Sequence, residues 1–118
     1  MSVSMQEVRR LLDPEEPNYD ASAALGPEAL PHLAQLIRGD DVMLASKATY
    51  AASLIQGGAG AVESAAESGN PIIRVAAAAA ARNLPTQESQ QVLARLSDDQ
   101  DAGIRKVARK SANIRGLA

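Results

Sequence analysis

Apolar residues recur along the chain in a pattern that repeats three times. Each repeat is anchored on one large aliphatic residue, Leu44, Ile73 or Ile104, at spacings of 29 and 31 residues. Alanines stand four and eight residues after each anchor, and further apolar residues stand eleven and eight residues before it. The equivalent positions are Leu33, Val62 and Leu93; Leu36, Ala65 and Leu96; Ala48, Ala77 and Ala108; and Ala52, Ala81 and Ala112. Spacings of three and four mark one face of a helix, so each repeat predicts two helices.

Short polar segments separate the two predicted helices of each repeat, and they carry residues that cap helix N-termini. These segments are Gly39-Asp40-Asp41, Ser68-Gly69-Asn70-Pro71 and Ser97-Asp98-Asp99-Gln100-Asp101. Glycine and proline interrupt the chain again between repeats, at 57–60 and at 84–86. The pattern therefore predicts helix pairs that follow one another along the chain.

The N-terminal segment predicts a degenerate repeat of the same kind. Ser4 and Glu7 form a capping box for a helix that runs through Leu12, and residues 18–25 form a shorter helix. We expect about eight helices in one domain over residues 1–118. The predicted units cover approximately 3–25 (degenerate), 26–57, 58–84 and 85–116.

The segment 70–84 shows the repeated pattern most clearly. Asn70 is a suitable N-cap, Pro71 suits the first helical position, and six consecutive alanines follow at 76–81. Such a helix has high propensity but little bulk, so it buries too little surface to be stable alone. We expect neighbouring helices to approach it closely on more than one side, in an all-α solenoid of about four helix pairs.

Three segments resemble HEAT repeats of the short bacterial kind, including those called phycobilisome-lyase-like. They are LGPEALPHLAQLI, IRVAAAAAARNL and IRKVARKSANI, and with the Asp-rich breaks the resemblance covers roughly residues 18–115. The resemblance implies a right-handed superhelical stack of helix pairs that serves as a protein-binding surface.

The same family places an arginine directly after the anchor of each second helix. Arg74 and Arg105 match this feature, whereas the first full repeat has Ala45. A ladder of Asp–Arg pairs across the repeats is therefore expected to be interrupted at that point.

Composition and charge restrict the function further. Apolar residues make up 46% of the chain, yet there is no Phe or Trp and only two Tyr, so burial must come from aliphatic residues and alanine. The absence of Cys excludes disulfides and thiolate chemistry and suits a reducing compartment. No apolar run has the length of a signal peptide core or a membrane span, so we expect a cytoplasmic protein without a membrane partner.

The net charge of −2 is unevenly distributed. Residues 1–67 contain ten acidic and four basic residues, whereas residues 68–118 contain four acidic and eight basic residues. The basic half could attract an anionic partner, or the opposite ends of stacked copies could attract each other.

The outward ridge of the second helices is the predicted binding surface. Helical spacing from the anchors places Ser46, Thr49, Tyr50, Ser53, Val75, Ala78, Ala79, Arg82, Lys106, Arg109, Lys110 and Asn113 on it. The candidate partner-binding residues are Tyr50, Ser53, Arg82, Lys106, Arg109 and Lys110. Alternatively, Tyr50 fills surface over neighbouring alanines, and the basic residues belong to a solvated last helix whose cations favour its C-terminal end.

The sequence offers little for catalysis or metal binding. His32 is the only histidine, and Asp40-Asp41 and Asp98-Asp99 are explained by helix capping. The glycine-rich segment 57–60 lacks the Lys-Ser/Thr of a phosphate loop. An acidic pI of about 5.3 and the scarcity of stacking aromatics disfavour nucleic acid. We therefore expect no enzyme activity, no cofactor and no metal.

A non-enzymatic scaffold or adaptor that binds another protein is the predicted function. The last helix retains the apolar Ile104, Val107 and Ile114, so end-on homo-oligomerisation through the terminal helices is also expected. The alternatives are a chromophore-lyase-like HEAT protein, or anion and nucleic-acid binding through the basic C-terminal helix.

Overall fold

The chain folds entirely as helices joined by short connections. The computed structural model describes residues 2–117, and over this range it contains eight α-helices and no strand. The helices are α1 (Met5–Leu12), α2 (Tyr19–Ala24), α3 (Leu30–Ile37), α4 (Val42–Ser53), α5 (Ala59–Ala66), α6 (Pro71–Ala80), α7 (Thr86–Leu96) and α8 (Ala102–Arg115). Short 3-10 turns at Pro27–Ala29 and Ala81–Asn83 precede α3 and follow α6. The predicted all-α class is confirmed.

Polar side chains begin the helices where the sequence predicts caps. Asp41 and Asp101 accept hydrogen bonds from the backbone N–H three residues later, at 3.0 and 3.1 Å. Asn70 accepts from the N–H of Ile72 at 2.9 Å, with Pro71 at the first helical position. Each cap satisfies a backbone donor that has no partner inside its helix. Ser4 and Glu7 form the predicted capping box at α1.

Each helix contacts its partner in sequence and its counterparts in the neighbouring pairs. Contacts join α1 to α2, α3 to α4, α5 to α6, and α7 to α8. The odd-numbered helices contact one another in order, α1 to α3, α3 to α5 and α5 to α7, and the even-numbered helices do the same from α2 to α8. The molecule measures 41 × 27 × 22 Å along its principal axes.

Equivalent positions of the three full repeats occupy equivalent environments. The anchors Leu44, Ile73 and Ile104 are all buried in the one core. The residues four positions after the anchors, and those eleven positions before them, are likewise buried in every repeat. Deviations occur only at Leu36 and Ala112, which are half-buried. The predicted buried register is confirmed.

The alanine-rich helix α6 lies in the middle of the molecule. It contacts α4 on one side and α8 on the other, and it also packs on α5. Ala77, Ala78, Ala80 and Ala81 are completely buried. Side chains of this size allow helix axes to approach to the short end of the usual range of about 8–10 Å.

Gly58, the residue before α5, lies directly against the backbone of α4. A Cβ at this position would overlap the carbonyl oxygen of Ala52. The neighbouring Gly57 has a φ of +88°, which other residues rarely adopt. The two glycines therefore form a tight turn between helix pairs, as the sequence predicts.

Candidate interaction surfaces

On α4 and α6 the exposed strip differs from the one predicted. Thr49, Ser53 and Ala78 are buried, so the expectation that these three residues face outward is wrong. They lie five or nine positions after the anchors, on the side that faces the next even-numbered helix. Ser53 Oγ accepts a hydrogen bond from Asn83 Nδ2 at 3.1 Å, across the boundary between two helix pairs. The Ser53 hydroxyl therefore already serves packing between pairs.

Arg82 connects two second helices in the same way. Its Nη2 donates to Ser111 Oγ on α8 at 3.1 Å, and its backbone oxygen accepts from Arg115 Nη1 at 2.8 Å. Its Nε is buried without a hydrogen-bond partner. Arg82 is half-buried in the 3-10 turn after α6, and its hydrogen bonds link this turn to α8.

Tyr50 is half-buried and packs against Tyr19 on α2. The ring centroids are 4.9 Å apart and the planes are inclined at 57°. Burial, and the neighbouring Tyr50, raise the pKa of Tyr19 above its ordinary value. The contact with Tyr19 agrees with the alternative that Tyr50 fills surface. The role of Tyr50 as a binding anchor stays a prediction.

Three of the four large exposed apolar side chains among the described residues lie in even-numbered helices, and the fourth, Leu54, directly follows α4. Met43 and Ile72 are 64% and 52% exposed, and each stands one residue before an anchor. Leu54 and Ile114 are 37% and 56% exposed, and each stands ten residues after an anchor. These positions lie on one strip of a helix, together with Tyr50. We call the five residues Met43, Tyr50, Leu54, Ile72 and Ile114 the even-helix surface.

Apart from Tyr50, the sequence-based prediction missed this surface. The signal was present, because Met43 and Ile72 both stand directly before an anchor and Leu54 and Ile114 share another repeat position. Exposed positions could have been deduced from large apolar residues that recur off the core face. On α4 and α6 the predicted ridge included Tyr50 but was otherwise rotated toward the next even-numbered helix.

Lys106, Arg109 and Lys110 are exposed on α8, as predicted. Arg109 Nη2 donates to the carbonyl oxygen of Ser97 at 3.2 Å. The ion pairs found within residues 2–117 involve none of these three cations. They give the C-terminal end of the molecule a positive rim.

A groove of about 590 Å³ lies between α7 and α8 at this end. Its lining has an apolar part, formed by Leu93, Ala94, Ala112 and Leu117, and a polar part that includes Arg109. The remaining lining residues are Gln90, Ser97 and Asn113. We call it the terminal groove. An apolar floor with a basic rim suits an acidic protein segment better than a neutral one.

One Asp–Arg pair links the third and fourth helix pairs. Arg74 donates from Nε and Nη2 to the two carboxylate oxygens of Asp99, at 2.9 and 3.3 Å, and both side chains are about nine-tenths buried. Arg74 also donates to the carbonyl oxygen of Ser68 at 3.0 Å. The hydrogen bonds from Arg74 and from the backbone of Asp101 hold the pKa of Asp99 below its ordinary value.

The equivalent arginine of the last pair makes the matching backbone contact, but the ion pairs found within residues 2–117 do not include it. Arg105 Nη1 donates to the backbone oxygen of Asp99 at 2.7 Å. In the first full repeat the position is Ala45, which is completely buried, so no arginine extends from α4 to the third pair.

His32 takes part in packing. Its Nε2 lies 2.7 Å from the carbonyl oxygen of Val3, which ties α3 to the segment before α1. In the part of the chain that the structure describes, no cluster of His, Cys, Asp and Glu could hold a metal ion. Every helix within residues 2–117 is too short or too polar to cross a lipid bilayer.

Comparison with known proteins gives no identification. Neither protein-family models nor curated proteins match the chain. The resemblance to HEAT repeats therefore stays a prediction that rests on the residues themselves.

Proposed function

We propose that the chain is a short HEAT-like α-solenoid, a right-handed stack of four helix pairs that binds another protein through the even-helix surface. The ordered contacts between successive odd-numbered and successive even-numbered helices support this arrangement. So do the equal environments of the repeated anchors. In such stacks each pair needs neighbours to bury both of its sides.

The main support for the proposed function is the even-helix surface. Single exposed apolar side chains are common and need no explanation. Here Met43 and Ile72 repeat at one position and Leu54 and Ile114 at another, so exposed apolar side chains recur on the same side of successive second helices. Aligned apolar side chains on one side of a molecule are typical of a protein-binding surface.

The polar side chains support a non-enzymatic role. The ring of His32 is engaged with a backbone carbonyl, and the hydroxyls of Thr49 and Ser53 donate to carbonyl oxygens of their own helix at 2.9 and 2.6 Å. A catalytic serine needs a base within hydrogen-bond reach. These hydroxyls instead satisfy backbone acceptors.

Quantitative affinity capture tests the even-helix surface. The double variant Met43→Glu/Ile72→Glu places two charges on exposed positions, and the control Gln35→Glu/Gln91→Glu places the same charges on exposed positions of α3 and α7. We expect capture of the principal partner to fall about tenfold or more with the first variant and to persist with the control, since charge is costly in an apolar interface. Equal capture by both variants would refute the assignment of this surface.

A basic α8 favours anion binding as the second candidate function. Lys106 and Lys110 are one helical turn apart, beside Arg109, and all three are exposed. A salt-dependent shift of labelled duplex DNA that disappears in Lys106→Glu/Lys110→Glu would favour this candidate. A titration with a linear tetrapyrrole tests the chromophore-lyase-like alternative in the same preparation. The cytoplasmic location stays a prediction.

A further inference from the structure

The last helix pair leaves partly or fully exposed three of four positions that are buried in an internal pair, the exception being the buried Leu93. In the third pair, Val62, Ala66, Ala78 and Ala81 are buried, and α7 and α8 pack over this side. Their equivalents in the fourth pair are Leu93, Ser97, Arg109 and Ala112, and these residues line the terminal groove. Ser97 and Ala112 are half-buried and Arg109 is exposed. The groove thus occupies the place where another helix pair would pack.

The ion pair between Arg74 and Asp99 indicates which charged side chain such a helix pair would carry. Arg74 receives Asp99, which stands two residues before the N-cap Asp101 of the following pair's second helix. Arg105 holds the same repeat position in the last pair and is half-buried at the edge of the stack. An incoming pair that continued the ladder would present an acidic residue two positions before the cap of its second helix.

The N-terminal end of this same chain has that residue. Asn18 caps α2, and Glu16 stands two positions before it. The connection between α1 and α2 also carries Asp13 and Glu15, and all three acids are exposed. Exposed Ala24 gives the outer side of α2 a small residue that permits close approach.

We propose that a second copy of this chain seats its α1/α2 pair on the terminal groove, head to tail, with Glu16 of the second copy facing Arg105. The proposal rests on the solenoid arrangement proposed above. Charge favours this orientation, because the acidic N-terminal half of one copy meets the basic C-terminal half of the other. Two grooves facing each other would instead bring the two Arg109 side chains together.

A head-to-tail contact has a consequence for assembly. The two surfaces differ, so each bound copy offers a fresh groove, and association continues into open chains unless a ring closes. The average mass therefore rises steadily with concentration, and it falls as added salt screens the charged ends.

Two matched variants block one end each. Ala94→Arg places a long side chain in the terminal groove, and Ala24→Arg places one on the outer side of α2. Both alanines are exposed in the protomer, so each substitution is compatible with the fold, which circular dichroism melting verifies. Gln91→Arg is the control, since Gln91 is exposed on α7 outside the groove.

Multi-angle light scattering at increasing concentration then tests the proposal. The parent chain and Gln91→Arg are expected to grow in mass, while Ala94→Arg and Ala24→Arg each stay near the protomer mass of 12.3 kDa. An equimolar mixture of the two blocked variants is expected to form a species of twice that mass and nothing larger, because each supplies the end that the other lacks. Glu16→Gln is expected to weaken association by roughly threefold to tenfold.

Two results would overturn the proposal. One is a parent chain that stays monomeric at every concentration. The other is self-association of Ala24→Arg equal to that of the parent, which would show that the outer side of α2 takes no part in the contact. Met43→Glu/Ile72→Glu is expected to assemble normally, so loss of partner capture by that variant and loss of assembly report on separate surfaces.

Discussion

Ala77 provides the most direct test of the packing between second helices. Its side chain is 0% exposed in α6, which contacts α4, α5 and α8. The substitution Ala77→Leu replaces a methyl group with a branched isobutyl group at a completely buried position between helices. The equivalent alanines of α4 and α8, Ala48 and Ala108, are also completely buried. No side chain at these positions can therefore move into solvent to make room for the leucine.

The expected cost follows from this lack of space. Adding methylene groups to a well-packed core forces side chains off their rotamers or moves the backbone, at about 1–3 kcal/mol. Helix propensity does not offset this cost, because Leu is nearly as favourable as Ala. In a domain of this size such a loss lowers the melting temperature by roughly 4–12 °C.

Thermal melting followed by circular dichroism measures the effect. Ala79→Leu is a matched control, since Ala79 lies on the same helix, is half-buried and undergoes the same chemical change. We expect Ala79→Leu to remain within about 0.5 kcal/mol of the parent. If Ala77→Leu melted with the parent and its control, the close packing of alanine-faced helices would be refuted.

Two further predictions concern the fourth helix pair. Leu93→Ala is expected to lower the free energy of unfolding by about 2–5 kcal/mol in a urea titration, because Leu93 is 3% exposed. Leu36→Ala should lower it less because Leu36 is half-buried, and equal losses would contradict the prediction. Arg74 holds the pKa of Asp99 below the ordinary 3.8, so the stabilisation is complete above that pH and is lost as pH falls through the lowered pKa. Asp99→Asn is therefore expected to be less stable at neutral pH and to lose less stability on acidification, and an unchanged acid limb would refute the role of this pair.

The buried register was predictable because it depends on side-chain size alone. Leu44, Ile73 and Ile104 repeat with alanines four residues later, and a helix that carries such a face must bury it. The caps at Asp41 and Asp101 were predictable for a similarly local reason, since a short polar side chain before an apolar run satisfies backbone donors of the first turn. These features need no knowledge of which helix neighbours which.

The exposed face was not predictable by the same route. Helical spacing locates the side opposite the anchors, but the following helix covers one flank of that side and leaves the other open. Side-chain polarity was also a poor guide to exposure, because Thr49 and Ser53 are buried and their hydroxyls donate to carbonyl oxygens one turn earlier in the helix. A small hydroxyl residue in an alanine-rich helix therefore gives little information about exposure.

The last repeat differs from the third at the position that matters most for further stacking. Ala78 of α6 is completely buried where α8 packs, whereas the equivalent residue of α8 is the exposed Arg109. A long guanidinium side chain cannot sit in as narrow a contact as a methyl group, so the second helix of an incoming pair could not approach α8 as closely as α8 approaches α6. The six-residue α2, with Asp20 and Ala24 exposed, is short, small and acidic. An incoming second copy would therefore contact this end through a looser and more polar interface than those inside the stack, which favours reversible assembly.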